Sequence, residues 1–189
     1  MSSSVDVGVQ RPQQWALAAV GALGISVAAV LAAYARIHPG DGAVLVTFGF
    51  SGMLQMKAWL TTAAAVLIAI QVGSALAMWG RLPFVSNVPG WVAGLHRWTG
   101  TWAFVLTLPV VFHCVWSLGF ATGSTRTLVH SVAGCLFYGA FAAKMLSLRL
   151  RGLPGPVLPV LGSLVAALMA VLWFTSALWF FSQPGFALI

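Results

Sequence analysis

Residues 91–118, WVAGLHRWTGTWAFVLTLPVVFHCVWSL, and residues 127–148, TLVHSVAGCLFYGAFAAKMLSL, decide the fold. Each is long enough to cross the hydrocarbon of a bilayer as a helix, which takes about 20 apolar residues. Neither holds a carboxylate, and neither shows the alternation of a barrel strand. Three further stretches, 15–36, 58–79 and 157–181, read the same way. Proline- and glycine-rich punctuation lies between them, as in His38-Pro39-Gly40-Asp41-Gly42 and Gly152-Leu153-Pro154-Gly155-Pro156. The expectation is an all-α integral membrane bundle of five transmembrane helices. Residues 15–189 then form one domain behind a cytoplasmic tail of residues 1–14. Short connectors favour antiparallel packing of the third, fourth and fifth spans around a cofactor-binding four-helix core.

Composition agrees. Of 189 residues, 60% are hydrophobic and 6% charged, and mean hydropathy is +0.98. A soluble domain carries roughly 25% charged residues, so this chain could not cover a water-facing surface. That excludes a soluble enzyme, a disordered tail and a disulfide-stapled secreted module. The net charge of +7 comes from nine Lys or Arg against two acids. These cations stand singly between apolar runs, so nucleic acid is not expected as a partner; membrane lipid is.

The basic residues also orient the chain. Arg11, Arg81, Arg97, Lys144, Arg149 and Arg151 fall on the side of the N-terminus, against Arg36, Lys57 and Arg126 on the other. The expected location is the inner cell membrane, with the N-terminus cytoplasmic and the C-terminus extracytoplasmic. The first span imitates a signal peptide, with Arg11 before it and Ala33-Tyr34-Ala35 near its end. Its apolar run is longer than a signal core, and a four-helix bundle would survive its cleavage. The Gly-rich segment 43–55 is too short to cross and is expected at the outer surface.

Three histidines fall in spans. An ionisable side chain there is costly and marks function by default; the bland alternative is a ring satisfied by backbone carbonyls, Ser or Thr. His113 precedes the connector at 121–124 by about as many residues as His130 follows it, so on antiparallel helices the two share a level. His96 lies seventeen positions before His113, about 25 Å along a helix, and belongs to the other face. Two imidazoles at one depth on facing helices suit one haem iron. Gly134, one turn after His130, would leave room for the macrocycle, and Gly139 lies further down; ordinary small-residue packing is the alternative for both. Arg126 and Lys57 stand where haem propionates would emerge, or simply snorkel. His96 with Arg97 offers a quinone site, a second site, or an interfacial hydrogen-bonded pair.

Val129-His130-Ser131-Val132-Ala133-Gly134 resembles the His-Ser-x-x-Gly run of cytochrome b561-type proteins, in which that histidine ligates haem. Leu95-His96-Arg97-Trp98-Thr99-Gly100 is similar to the His-x-x-x-Gly openings of related b-haem families. The chain also resembles an uncharacterised family of small bacterial multi-pass proteins. The first likeness implies a b-type cytochrome relaying electrons, an oxidoreductase subunit or partner of a redox complex, with haem b and a quinone or another redox membrane protein as partner. The two-haem pattern of that family needs four ligand histidines on four helices. Spans 58–79 and 157–181 have none, so one bis-histidine haem is the most this chain builds. The competing readings are a haem-free accessory or assembly protein, and an outer-face copper protein using Met53, Met56 and His38, soft and imidazole ligands.

Smaller features complete the sequence. Cys114 and Cys135 stand at different heights, so free thiols rather than a disulfide are expected. Pro109 removes a helix hydrogen bond just before His113. Gln71 and Ser74 are expected to make interhelical hydrogen bonds.

Overall fold

A computed structural model describes residues 7–85 and 87–184, with side chains from Gln14 onward. Five helices long and apolar enough to cross a membrane make up the molecule: α1 (Val7–Ile37), α2 (Met53–Met78), α3 (Trp91–Leu118), α4 (Thr125–Ser147) and α5 (Val157–Phe181). No strand occurs among the described residues. Helix α1 begins inside the stretch expected as a tail, of which residues 1–6 lie outside the described residues.

Helix α2 starts at Met53 rather than near 58. The Gln55 side chain accepts from the Ser51 backbone N–H at 2.8 Å and also from the Ser51 hydroxyl. That contact gives a donor just ahead of the helix a partner. Lys57 therefore lies inside the helix and is buried, instead of preceding it at the surface. Ser124 starts α4: its Oγ accepts from the Thr127 N–H, and Thr127 Oγ1 accepts from the Ser124 N–H. Helices α3 and α5 each end in a π-helical stretch, His113–Leu118 and Phe174–Leu178, a widening often found at functional sites.

Contacts between helix ends show up-and-down alternation. Where α1 and α3 finish, Gly42 N–H donates to the Ser117 carbonyl and Phe120 N–H to that of Ala35, at 2.8 and 2.9 Å. A side chain on Gly40 would run into the Ser117 carbonyl. The start of α4 meets the end of α5 through Arg126 and Thr175. The end of α2 meets the start of α3 through Ser74 and His96.

The packing order differs from simple succession. Helix α3 packs on α2, α2 on α5, α5 on α4, and α4 on α1. Helices α3 and α4, expected as packed neighbours, have no extended backbone contact. Aromatic side chains hold them apart. Phe104 stacks on Phe141 with centroids 4.3 Å apart and lies edge-on to Tyr138; Tyr138 donates its hydroxyl to the Thr107 carbonyl at 3.0 Å. Helices α2 to α5 thus surround a central space crossed by an aromatic floor.

Helix α4 packs closely on α1 where Gly24 meets Gly139. A Cβ on Gly24 would stand 3.0 Å from the Gly139 carbonyl oxygen, and one on Gly139 would strike the Gly24 carbonyl. Gly139 thus lets two backbones approach, as small residues do between membrane helices. Gly139→Ala should overpack this crossing and lower stability by about 1–3 kcal/mol. An unfolding titration in detergent measures this, with Gly94→Ala, where a Cβ meets open space, as the control.

Candidate functional site: two cavities in the bundle

The aromatic floor divides the central space. A cavity of about 250 Å³ lies toward the face where α5 ends. Its polar wall includes Lys57, Cys114, Arg126, His130 and Thr175, and Gly134 and Cys135 also line it. A second cavity of about 940 Å³ lies toward the face where α1 begins, with Gln71, Arg81, His96 and Lys144 among its wall residues. Phe137, 2% exposed, belongs to both walls. His130 and Lys144 are fourteen residues apart on α4, close to four turns and about 21 Å, so one helix face serves both levels.

Four of the residues singled out for haem, His130, Gly134, Arg126 and Lys57, come together on the first cavity. A Cβ on Gly134 would find only Leu172, at 3.9 Å, so this glycine leaves the wall open rather than seating another helix. Arg126 donates from a guanidinium nitrogen to the Thr175 carbonyl at 2.6 Å and lies 3.8 Å over the Trp179 ring. His113 is fully buried, and it is not on the cavity wall. The next residue, Cys114, is. The Cys114 thiol shares that wall with the His130 ring and Lys57. The sequence arithmetic equated the levels of His113 and His130, but level says nothing about rotation round the helix axis, and one residue is a rotation of about 100°.

All three intramembrane imidazoles are held through Nδ1. His113 Nδ1 sits 2.8 Å from the Pro109 carbonyl, which can only accept, so Nδ1 carries the proton. His130 Nδ1 is 3.0 Å from Thr175 Oγ1, whose hydroxyl makes a shorter contact, 2.7 Å, with the Val171 carbonyl. That hydrogen goes to the carbonyl, and the oxygen accepts from the imidazole. His96 Nδ1 meets Ser74 Oγ at 2.9 Å, and Ser74 donates to the Ile70 carbonyl at 2.8 Å. In the neutral ring this leaves Nε2 as the acceptor nitrogen. A metal-ligating histidine is arranged in this way, its other nitrogen donating to an oxygen that sets tautomer and orientation. His113 Nε2 meets no polar partner at all, and neither does the buried Ser117 Oγ one turn on.

His96 stands on the second cavity, while Arg97 is exposed and lines neither. Gln71 explains the glycine after His96. Its amide donates to the His96 carbonyl and, at 2.9 Å, to Thr99 Oγ1, and a Cβ on Gly100 would crowd that amide at 3.0–3.2 Å. Gln71 and Ser74 make the interhelical bonds expected of them. His38 is exposed, its Nδ1 on the Tyr34 carbonyl and its ring stacked on Tyr34; Met56 is fully buried. Both cysteines are free thiols. Among the described residues no group of three or more His, Cys, Asp or Glu could hold a metal ion.

Sequence reasoning did not find Thr175 for the first wall or Arg81 for the second, since a hydroxyl a whole helix away leaves no local pattern. Cys114 was weighed as a thiol beside His113, and Lys144 as a cation at the level of His96.

The residues present fit a haem in part. His130 offers Nε2 as an acceptor nitrogen, Gly134 an open wall, and Lys57 and Arg126 are cations on a cavity within spans that contain no acid. The second ligand fits less well, since His113 faces away from that wall.

The fold and these cavities define a multi-pass helical membrane protein with largely apolar internal cavities that carry cations on their walls. Residues 16–188 match the model of a family of unknown function, DUF6529, and the chain belongs to that family. No curated protein and no solved structure matches it.

The Thr175 hydroxyl orients His130, and a valine there would keep its shape and leave Nδ1–H unpaired. Thr175→Val should cost about 1–3 kcal/mol of stability, whereas Thr175→Ser should restore most of it. Parallel melts of the two variants decide this; equal melting points would show that the ring needs no such partner.

Proposed function

We propose that this chain is a membrane b-type cytochrome with one haem in the first cavity, near the extracytoplasmic face. One observation carries the reading: a histidine anchored through Nδ1, with Nε2 as its acceptor nitrogen, stands in an apolar cavity whose charged wall residues, Lys57 and Arg126, are both cations. The chain's two acids are Asp6 and Asp41, neither in a span, so no carboxylate of the spans faces these cations. Haem propionates would. The short likeness to cytochrome b561 around His130 and Gly134 points the same way.

When bound, haem supplies one-electron redox chemistry. The chain's own work is attachment, burial and charge balance. His130 is the first ligand. His113 is the second, by virtue of the unpartnered Nε2, and the reading requires its ring to leave its enclosed seat for the wall that Cys114 now shares with His130. The physiological role is an electron relay between a quinol or redox membrane protein and an outer acceptor. In the inner cell membrane the positive-inside rule puts Arg81, Lys144, Arg149 and Arg151, with the N-terminus, in the cytoplasm.

A second reading has its own support. Each intramembrane ring is already held by a protein oxygen, as in a haem-free accessory protein whose histidines pack and brace. A reduced-minus-oxidised spectrum of protein purified from haem-sufficient cells separates the two. The cytochrome reading expects a b-type band that His130→Ala and His113→Ala each abolish and His96→Ala spares. Loss with Cys114→Ala in place of His113→Ala would reassign the second ligand. Absence of any band would establish the accessory reading. Lys57→Met should leave the band but speed haem loss on dilution, because one cation opposite the propionates is gone.

A further inference from the structure

The larger cavity, on the other side of the aromatic floor, has no part in holding that haem, yet its wall chemistry is specific. Helices α2, α3, α4 and α5 all contribute to it, and most of its lining is apolar. Three groups with distinct hydrogen-bonding roles stand on this wall. His96 is fixed by Ser74 with Nδ1 donating, which leaves Nε2 as a pure acceptor. Lys144, part-buried on α4, is a pure donor, and so is Arg81 just beyond the end of α2. Gln71 is occupied by the α3 backbone and Thr99. Phe104, Phe137 and Phe141 supply a flat aromatic boundary.

A complementary ligand therefore has an apolar body, a flat head, one hydroxyl to donate to His96 and one oxygen to accept from a cation. A simple anion lacks the donor. A phospholipid headgroup of phosphate and choline lacks it too and would leave His96 Nε2 unpaired, a costly state for a polar atom away from water. A hydroquinone carries a hydroxyl at each end of a planar ring and a tail suited to the surrounding lipid.

We infer that this cavity binds the head ring of a membrane quinol, one hydroxyl donating to His96 Nε2 and the opposite oxygen accepting from Lys144, with Arg81 at the entrance. The inference concerns binding alone. It stands whether or not the first cavity holds haem, and if both hold, the bundle carries its electron donor and its redox centre on opposite sides of the Phe137 floor.

The test uses the full chain in nanodiscs of phosphatidylcholine under anaerobic conditions, with decylubiquinol as probe and its dimethyl ether as the control that lacks both hydroxyl hydrogens. Saturable binding of one quinol per chain is expected, and at least about tenfold weaker binding of the ether, the effect of one lost hydrogen bond to a buried partner. His96→Ala and Lys144→Met should each weaken quinol binding by a similar factor, while Gly21→Ala on α1, where a Cβ meets open space, leaves it unchanged. Should His96→Ala fail to fold, Lys144→Met and the ether carry the same decision. Equal affinity for quinol and ether, indifference to both variants, or displacement by phosphatidylglycerol at a molar ratio that phosphatidylcholine tolerates would overturn the proposal; so would a haem bound through His96. The haem reading is judged separately by the His130-dependent band, so either can fail without the other.

Discussion

Everything inside this bundle answers to one constraint: in hydrocarbon a polar group must find its partner within the protein. Among the described residues the chain meets it largely without carboxylates, and His113 Nε2 and Ser117 Oγ are buried side-chain atoms left without a partner. Its intramembrane hydrogen bonds run from imidazoles to hydroxyls and from hydroxyls to the carbonyls a turn back, as in His130 to Thr175 to Val171 and His96 to Ser74 to Ile70. Such relays fix the tautomer. A hydroxyl whose hydrogen is committed to a carbonyl can only accept, so each ring donates from Nδ1 and keeps Nε2 as its acceptor. The same relays join α4 to α5 and α3 to α2, so the bonds that prepare the rings also hold the helices in place.

The second determinant is the aromatic spacing between α3 and α4. Small residues draw α1 and α4 together at Gly24 and Gly139, whereas Phe104, Tyr138 and Phe141 keep α3 and α4 apart. A bundle of four evenly packed helices would have a solid core. Here one pair is propped open, and the prop itself becomes the floor between two cavities. Cations are distributed to both, Lys57 and Arg126 on one, Arg81 and Lys144 on the other. With no acid in the spans, that arrangement favours ligands with acceptor oxygens at each level.

Much of this was legible in the residues. Apolar length and the scarcity of charge determined five spans, because the thickness of hydrocarbon sets how long a helix must be. The expected limits differ from the structure mostly at ends where a side chain makes the first turn, Gln55 at α2 and Ser124 at α4. Of the residues grouped for a cofactor, His130, Gly134, Arg126 and Lys57 line one cavity and His113 does not; the shared half of the bundle follows from counting along a helix. His96 was assigned rightly to the opposite face by the same count.

Rotation and neighbourhood were decided by the tertiary structure alone. Counting residues gives height, but which side of α3 faces the cavity depends on what α2 buries, and that packing puts Cys114 on the wall and His113 behind it. Which helices touch depends on the summed sizes of side chains from separate spans, so α3 and α4 are consecutive in the chain and yet held apart. The partners that orient the histidines, Thr175 and Ser74, lie 45 and 22 residues away, where no local pattern reaches. Composition and periodicity therefore determined that a membrane bundle forms and at what depth its polar groups lie. Only close packing of five rods with unequal side chains could decide which of those groups meet.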